Sequence, residues 1–365
     1  MTMKNLLLLL LLFLSLDTSQ QFEGEKTENS SDLVRSFRGE QRRTSGTNGT
    51  ADPSALEELE HLNRSAVEYF TGTLSTRLIP FAYVTAIAFG IPLNGYILGT
   101  LIVKVKTFSA AVLYLSLAVS DVLVLVTLTF RVHYHFGGNN WVFGEALCKV
   151  VTACFYGNIY CSIHMHMCIS IKRYLAVIHP FTYKRLPKHS CSTWSTLTVW
   201  AVFFIAMVPE LLIRQSYHLP QLRITTCHDV LPNEEKYYTL LLYYRMALTC
   251  LGFFIPFIVT VISYVSIIYH LNKSHHDWMC YIKMSTLVFV TFTLCFAPGN
   301  LLDFIHSVKL YMSREEYFYI YYNVALCLCS LHCCLDPFLF FLMSRMARSK
   351  LHYVTFKGKT ISISI

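Results

Sequence analysis

The chain has 365 residues, of which 54% are apolar and only 14% are charged, and its mean hydropathy is +0.45. A soluble domain usually carries nearer to a quarter charged residues, so the composition excludes an ordinary soluble protein. The net charge of +8 is explained by membrane topology and indicates no nucleic-acid partner.

Residues 1–19 are typical of a secretory signal peptide. The unbroken leucine run Leu6–Leu12 follows Lys4 and is too short to span a membrane. Residues 20–77 are polar and poor in large aliphatic side chains, which predicts a disordered extracellular tail. Three glycosylation sequons lie in this tail, at Asn29, Asn48 and Asn63.

Seven apolar runs follow, each long enough to cross a bilayer, which takes roughly 20 residues. They lie near residues 78–103, 110–134, 147–171, 194–213, 239–270, 279–307 and 317–343. Backbone groups in lipid must be satisfied within their own segment, so the runs predict an all-α membrane protein with a seven-helix bundle. The bundle covers residues 78–343, and residues 344–365 form a short basic tail.

Basic residues are concentrated in the loops on one side of the predicted bundle. They are Lys104, Lys106, Lys184, Arg185, Lys188, Lys273, Arg345, Arg348 and Lys350, with Asp277 as the only acid. The positive-inside rule makes this side cytoplasmic. The amino-terminal tail is then outside a plasma membrane that the chain crosses seven times, with lipid around the bundle.

Of 13 cysteines, eleven fall within or beside predicted spans, where cysteine behaves as a small apolar residue. Only Cys148 and Cys227 face the oxidising side of the membrane. The economical interpretation is a disulfide between them, which fastens the second extracellular loop over the bundle.

An ionisable group inside a membrane span is costly and is therefore a functional candidate. The candidates are Asp121 and Asp336, with Asn94, Asn158 and Ser162 as expected neighbours. Oxygen ligands of this kind suit a hard cation such as Na⁺. The alternative is a hydrogen-bonded cluster that only packs helices, and the two interpretations are compatible.

Pro209, Pro256, Pro298 and Pro337 each lie within a predicted span. Each removes a backbone hydrogen bond and kinks its helix. A kink beside a cavity also provides a hinge, and the sixth span, with Phe296 and Pro298, is the predicted moving part.

Across residues 78–350 the spacing of these landmarks resembles that of rhodopsin-like G-protein-coupled receptors. The matching residues are Asn94, Asp121, Cys148, Arg173-Tyr174, Trp200, Pro209, Cys227, Pro256, Tyr264, Phe296-X-Pro298 and Asp336-Pro337. The resemblance implies that Arg173 and the basic loops face a heterotrimeric G protein. Two positions depart from the family pattern: Lys172 replaces an acid before Arg173, and Phe340 replaces a tyrosine.

The loop sequence Cys227-His228-Asp229-Val230-Leu231 resembles the second extracellular loop of protease-activated receptors. The resemblance implies an agonist hidden in the receptor's own tail. The candidate is Ser36-Phe37-Arg38-Gly39, exposed by cleavage after Arg35 in Leu33-Val34-Arg35. Phe37-Arg38-Gly39 looks closest to the third mammalian member of the family.

Cleavage would create a terminal ammonium with a pKa near 8, which an acidic site can distinguish from the uncut amide. The expected binding residues are His228, Asp229, Leu231, Glu234, Tyr317 and Tyr321, with Glu235 and Tyr311 as further candidates. Arginine before the bond indicates thrombin, and hence blood coagulation, or another trypsin-like serine protease.

Two other functions stay open. One is a receptor for a small diffusible anion, bound by Arg131, His133 and Arg214. The other is a non-signalling cofactor that presents a protease to a neighbouring receptor, which Lys172 and the short tail allow. The spacing of nucleophiles and bases indicates no enzyme, and the sequence leaves receptor dimerisation open.

Overall fold

The computed structural model describes residues 37–41, 59–60, 62, 64–104, 111–232, 243–272, 279–313 and 318–342. All of them belong to one compact unit that begins at Leu33. Several predicted features lie outside the described residues. They are the signal peptide, the sequons, Arg35, Ser36, Glu234, Glu235, Tyr317 and the carboxyl-terminal tail.

Within the described residues, seven helices are long and apolar enough to cross a membrane, which confirms the predicted fold class. They are α1 (Leu74–Val103), α2 (Ala111–Phe136), α3 (Gly144–Ile178), α4 (Lys188–Leu212), α5 (Tyr243–Asn272), α6 (Ile282–Lys309) and α7 (Tyr319–Leu342). α3 is longer than the predicted run 147–171, because a helix continues past the bilayer where its residues become polar. A short helix, Pro180–Arg185, follows α3.

Wide π turns precede two of the predicted proline kinks. The turn Cys250–Phe254 in α5 includes the residue four positions before Pro256. The turn Phe292–Phe296 in α6 likewise includes the residue four positions before Pro298. A proline ring clashes with the carbonyl group at that position, and a wider turn relieves the clash. The helix instead continues through Pro92 in α1 and through Pro209 in α4.

The part of the tail next to the membrane is ordered, in contrast to the predicted disordered tail. Residues Arg64–Thr71 form a short amphipathic helix. Its Ala66, Tyr69 and Phe70 side chains are buried in the main apolar core. The polar composition of residues 20–77 as a whole concealed this one apolar helix face, which gains its stability by packing against the bundle.

Five strands lie at the predicted extracellular end. They are β1 (Phe37–Gln41), β2 (Leu59–Glu60), β3 (Ser216–Leu219), β4 (Ile224–Cys227) and β5 (Val230–Pro232). β3 and β4 form an antiparallel hairpin. β1 is the middle strand of a second sheet, with β2 antiparallel on one side and β5 parallel on the other.

Candidate functional site

The second extracellular loop is fastened to α3 at two points. Cys148 of α3 and Cys227 of β4 form a disulfide. One turn earlier, the Glu145 carboxylate accepts hydrogen bonds from the backbone N–H groups of Gln215 and Ser216, at 2.9 and 2.7 Å. An acid in the first turn of a helix is also favoured by the helix dipole. The loop is therefore held as a fixed cover over the bundle.

A sharp turn at His228 directs the following residue inward. His228 has a φ of 71°, a left-handed conformation that is unusual for a residue with a side chain. Its backbone N–H bonds to the Gln215 carbonyl at 2.7 Å, and its Nδ1 lies 2.6 Å from the Gln215 side-chain oxygen. The imidazole packs 5.0 Å from the Tyr156 ring. These contacts hold the turn.

Asp229 is the acid that this turn places inside the bundle, where it is 6% exposed. Its Oδ2 accepts a hydrogen bond from the Tyr134 hydroxyl of α2 at 2.6 Å. Its Oδ1 accepts one from the Tyr319 hydroxyl of α7, also at 2.6 Å. One carboxylate of the loop therefore joins two membrane helices. A charged acceptor makes both bonds stronger than bonds between neutral groups.

Aromatic residues and one arginine surround this acid. Tyr69 of the short helix packs edge-to-face on Tyr319, with ring centroids 6.2 Å apart. Burial, and next to it the negative charge of Asp229, raise the pKa of Tyr69 well above its ordinary value. The Arg131 guanidinium lies 4.1 Å from the centre of the Phe155 ring. The site thus combines a negative centre with an aromatic wall.

The predicted agonist segment runs beside the same loop. Backbone pairing is parallel, with Phe37 opposite Val230, Arg38 opposite Leu231 and Gly39 opposite Pro232. Val230 directly follows Asp229 and is fully buried. The main chain of Phe37, Arg38 and Gly39 thus lies beside Val230, Leu231 and Pro232, of which Leu231 was predicted to bind the agonist.

A buried ion pair lies below the loop, between α4 and α5. The Glu210 carboxylate and the Arg245 guanidinium are 3.4 Å apart, and both side chains are almost completely buried. The Gln215 side-chain amide donates to Glu210 at 3.2 Å. Since Gln215 also contacts His228, this network connects the loop turn to α4 and α5.

The polar residues predicted at mid-membrane are all buried, but their partners differ from those expected. Asp121 Oδ1 lies 3.5 Å from His332 Nε2, and Asp336 Oδ1 lies 3.0 Å from His166 Nε2. The structure thus puts a histidine beside each acid. Of the expected neighbours, Asn94 lines a small cavity together with Asp336. The side-chain amide of Asn94 donates to the Cys333 carbonyl at 2.8 Å. The side-chain amide of Asn158 donates to the Ser120 hydroxyl at 2.8 Å, and Ser162 is buried in α3.

At the predicted cytoplasmic end, Arg173 is held without an acid. Its guanidinium donates to the Tyr114 hydroxyl of α2 at 2.8 Å, and the side chain is 8% exposed. Lys172 turns to α4 and donates to the Ser192 hydroxyl at 2.5 Å. The two adjacent cations therefore contact different helices, which limits their repulsion.

Several site residues were not predicted from the sequence. Tyr134 and Tyr319, which donate to Asp229, were not among the predicted binding residues, and His332 was not singled out at all. Tyr321 is half-buried in α7, two residues from Tyr319. Adjacent tyrosines in a helix differ only in the direction they face, and that direction depends on the rotation of α7. A histidine near Asp336 in an otherwise apolar run was the one signal that could have identified His332.

Comparison with known proteins identifies a receptor family and several receptors that this chain resembles. Residues 94–340 match the family described as 7 transmembrane receptor (rhodopsin family). The chain is 45% identical to proteinase-activated receptor 3 of Bos taurus over 313 residues, which are 85% of this chain and 83% of the relative. It is similarly 45% identical to the Homo sapiens form over 295 residues, 81% and 79% of the two chains.

A second group of relatives carries a different receptor name. Identity to proteinase-activated receptor 2 of Mus musculus is 34% over 291 residues, covering 78% of this chain and 72% of the relative. The loop and the mid-membrane acids described above lie within the family match. The chain therefore belongs to the rhodopsin family of seven-transmembrane receptors and, within it, to the proteinase-activated receptors.

Proposed function

We propose that this receptor is switched on when a trypsin-like serine protease, with thrombin as the leading candidate, cleaves after Arg35. The new terminus Ser36-Phe37-Arg38-Gly39 then acts as the agonist. One observation carries the proposal: Phe37–Gln41 is a strand in register with Val230–Pro232, the end of the second loop. Strand addition to a sheet edge is a general way of binding an extended peptide.

The register predicts which group reads the new terminus. If the register of Phe37 with Val230 continued by one residue after cleavage, the new terminus would come opposite Asp229. This terminus carries an ammonium with a pKa near 8, so it is charged at physiological pH. Opposite charges 4 Å apart attract by about 4 kcal/mol at an effective dielectric constant of 20. The uncut amide has no such charge.

Engagement of Asp229 would change the contacts of two helices. Its carboxylate oxygens already accept hydrogen bonds from Tyr134 of α2 and Tyr319 of α7. An ammonium competes for the same oxygens and weakens one or both bonds. The resulting shift of α7 against α2 would pass to the mid-membrane polar residues and to the hinge of α6 at Pro298.

Tethering allows a weak peptide to act as an agonist. Ligand and receptor are one chain, so the effective concentration of the peptide is about millimolar. The pairing in the uncut chain supports this view, because the backbone register is present without a free terminus. Cleavage then adds a charge to a segment that is already close to its site.

A second candidate function is that of a cofactor which is cleaved but does not signal. It is favoured by Lys172, which stands beside Arg173 and binds Ser192 of α4. If that contact holds α3 and α4 together on the G-protein side, cleavage at Arg35 need not open the bundle. The same experiment separates the two functions.

The test uses full-length receptor in cells, with one epitope tag before Arg35 and another after Gly39. Loss of the first tag reports cleavage, while calcium and cyclic AMP report signalling through a heterotrimeric G protein. Arg35→Gln removes the predicted cleavage site. Arg42→Gln is the matched control, since it removes an arginine seven residues downstream in the same tail.

We expect thrombin to remove the first tag and to raise calcium or change cyclic AMP in the wild type and in Arg42→Gln. Neither event should occur in Arg35→Gln, and free Ser-Phe-Arg-Gly-Glu-Gln should restore signalling to that variant. Cleavage without either signal in the wild type would favour the cofactor. Signalling that persists in Arg35→Gln would refute the proposed cleavage site.

A further inference from the structure

Three side chains with metal-binding atoms meet in the middle of the bundle. They are Asp121 of α2 and the adjacent His332 and Cys333 of α7, and all three are buried. Their ligand atoms lie within 4.8 Å of one another. His332 Nε2 is 3.5 Å from Asp121 Oδ1 and 3.6 Å from Cys333 Sγ.

The backbone of α7 is irregular at this point. Regular helix ends at Ser330 and resumes at His332. Hydrogen bonds over three residues replace the usual pattern, from the Leu331 N–H to the Leu328 carbonyl at 3.1 Å and from the Cys334 N–H to the Leu331 carbonyl at 3.0 Å. Such a tightened stretch inside a long helix often marks a functional site.

The imidazole of His332 is oriented by a backbone contact. Its Nδ1 is in contact with the Cys329 carbonyl oxygen. A carbonyl can only accept, so Nδ1 carries a hydrogen. In the neutral ring, Nε2 then presents its lone pair to Asp121 and Cys333. A histidine whose second nitrogen donates to a backbone carbonyl is the usual arrangement of a metal ligand.

The carboxylate of Asp121 also presents acceptor oxygens to this site. Among the described residues neither of its oxygens has a hydrogen-bond partner, and the side chain is completely buried. An acceptor nitrogen thus faces an acceptor oxygen inside a membrane protein, where unpaired negative charge is costly. A proton held between the two groups, on the acid or on Nε2, would relieve this contact, and so would a bound cation.

The donor atoms discriminate between cations. Oxygen ligands alone would suit Na⁺, as the sequence suggested, but an imidazole nitrogen and a thiolate sulfur suit Zn²⁺. A tetrahedral zinc ion has nitrogen and oxygen ligands at about 2.0 Å and sulfur at about 2.3 Å, so its ligands lie about 3.3 to 3.6 Å apart. The distances from His332 Nε2 to Asp121 and Cys333 fall in this range.

We propose that Asp121, His332 and Cys333 bind one Zn²⁺ ion, with a fourth position left for water. Binding displaces the thiol proton of Cys333 to solvent, and the thiolate, imidazole and carboxylate then coordinate the metal. The ion would tie α2 to α7, the two helices that Asp229 also joins at the predicted extracellular end. The site is therefore placed to influence receptor activation.

The test measures metal directly on purified full-length receptor in lipid nanodiscs. Receptor is incubated with ZnCl₂, freed of excess metal by gel filtration, and analysed for zinc by mass spectrometry. A parallel sample takes CoCl₂, because cobalt bound to a thiolate gives a near-ultraviolet charge-transfer absorption that sodium or a proton cannot give. The variants are Cys333→Ser and His332→Asn.

Cys334→Ser is the matched control. Cys334 is the next cysteine in the same helix, and its thiol contacts the Ala86 carbonyl of α1 at 3.6 Å. It accounts for zinc held by other thiols, of which the described residues contain several. Thermal unfolding of each variant without metal identifies any that fail to fold.

We expect one zinc ion per receptor above background in the wild type and in Cys334→Ser, together with the cobalt absorption. Cys333→Ser should lose the absorption and at least tenfold in zinc affinity, and folded His332→Asn should lose zinc as well. Equal zinc in Cys333→Ser and Cys334→Ser would overturn the proposal. So would a wild-type receptor that binds no zinc, which would leave a proton between His332 and Asp121.

Discussion

Both oxygens of Asp229 accept hydrogen bonds from tyrosines, and those tyrosines belong to different helices. Among the described residues its hydrogen-bond donors are these neutral hydroxyl groups, and a cation can replace them because an ionic partner forms a stronger bond. At the scale of single residues, this acid is the centre of the proposed mechanism.

Asp229→Asn keeps the size of the side chain and removes its charge. We expect the concentration of Ser-Phe-Arg-Gly-Glu-Gln that gives half the maximal calcium response to rise at least tenfold, which corresponds to a loss of about 1.4 kcal/mol. Glu68→Gln is the control, since Glu68 is an exposed acid of the short helix at the same end of the receptor. Equal potency at Asp229→Asn and wild type would contradict the assigned role.

Tyr114 is the second residue whose role follows from one bond. Its hydroxyl accepts a hydrogen bond from Arg173, which has Lys172 and not an acid before it. Tyr114→Phe removes that acceptor, and we expect ligand-independent signalling to rise about fivefold, as a loss of about 1 kcal/mol predicts. Tyr174→Phe, next to Arg173 but facing His179, should leave basal signalling unchanged. Unaltered basal signalling in Tyr114→Phe would show that Arg173 is restrained in another way.

The sequence identified the acids more successfully than their partners. Asp121 and Asp336 stand out because charge is rare in apolar runs, and Asp229 was proposed from its position in the second loop. Tyr134, Tyr319 and His332 do not stand out, since their importance depends on how α2 and α7 face each other. Chain spacing cannot supply that information: the contact between Tyr134 and Asp229 joins residues 95 positions apart.

At the scale of elements, β1 is the strand that makes the agonist hypothesis specific. In a parallel ladder the N–H groups that face one neighbouring strand alternate along the chain. Free agonist peptides N-methylated in turn at Phe37, Arg38 and Gly39 should therefore show alternating potency. We expect the potency of the peptide to fall about tenfold at every second position and to change little at the position between. Uniform sensitivity, or none, would argue against pairing with β5.

The contact between α4 and α5 depends on the buried pair of Glu210 and Arg245. Arg245→Met leaves a buried carboxylate without its cation, which typically costs about 3 to 5 kcal/mol. We expect a clear fall in the Tm of the purified receptor. The double variant Glu210→Gln and Arg245→Met should recover most of that loss. If the double variant is no more stable than Arg245→Met, the charge pair is not what stabilises this contact.

The transmembrane helices were predictable because a run of roughly 20 apolar residues has the length and composition of a membrane-spanning helix. Their irregularities were predictable in part. Pro256 and Pro298 indicated kinks, and the structure adds the π turns that accommodate them. In α7 the irregular stretch from Leu328 to Cys334 lies just before Pro337, which had also indicated a kink, and it is formed by tightened hydrogen bonds and not by a π turn. The short helix Arg64–Thr71 was missed because its apolar face is narrow.

At the scale of the whole molecule, one covalent bond holds the loop over the bundle. Cys148 and Cys227 are 79 residues apart, and closing a loop of that length stabilises a fold by about 4 to 5 kcal/mol in the chain-entropy model. We expect receptor with both cysteines changed to alanine to be cut at Arg35 but to lose its response to the free peptide. A retained response would mean that the loop is held in place without the disulfide.

Disulfide trapping can show whether the cleaved agonist strand docks on the second loop in the register of β1 with β5. Gly39→Cys is combined with Pro232→Cys, its partner in the structure, or with Val230→Cys, which is displaced by two residues and lies on the same side of β5. Cells expressing each pair are treated with thrombin, and the cross-linked peptides are identified without reduction. We predict rapid cross-linking of 39 to 232 and little of 39 to 230. Equal cross-linking of both pairs, or none, would contradict the docking of the agonist on this loop.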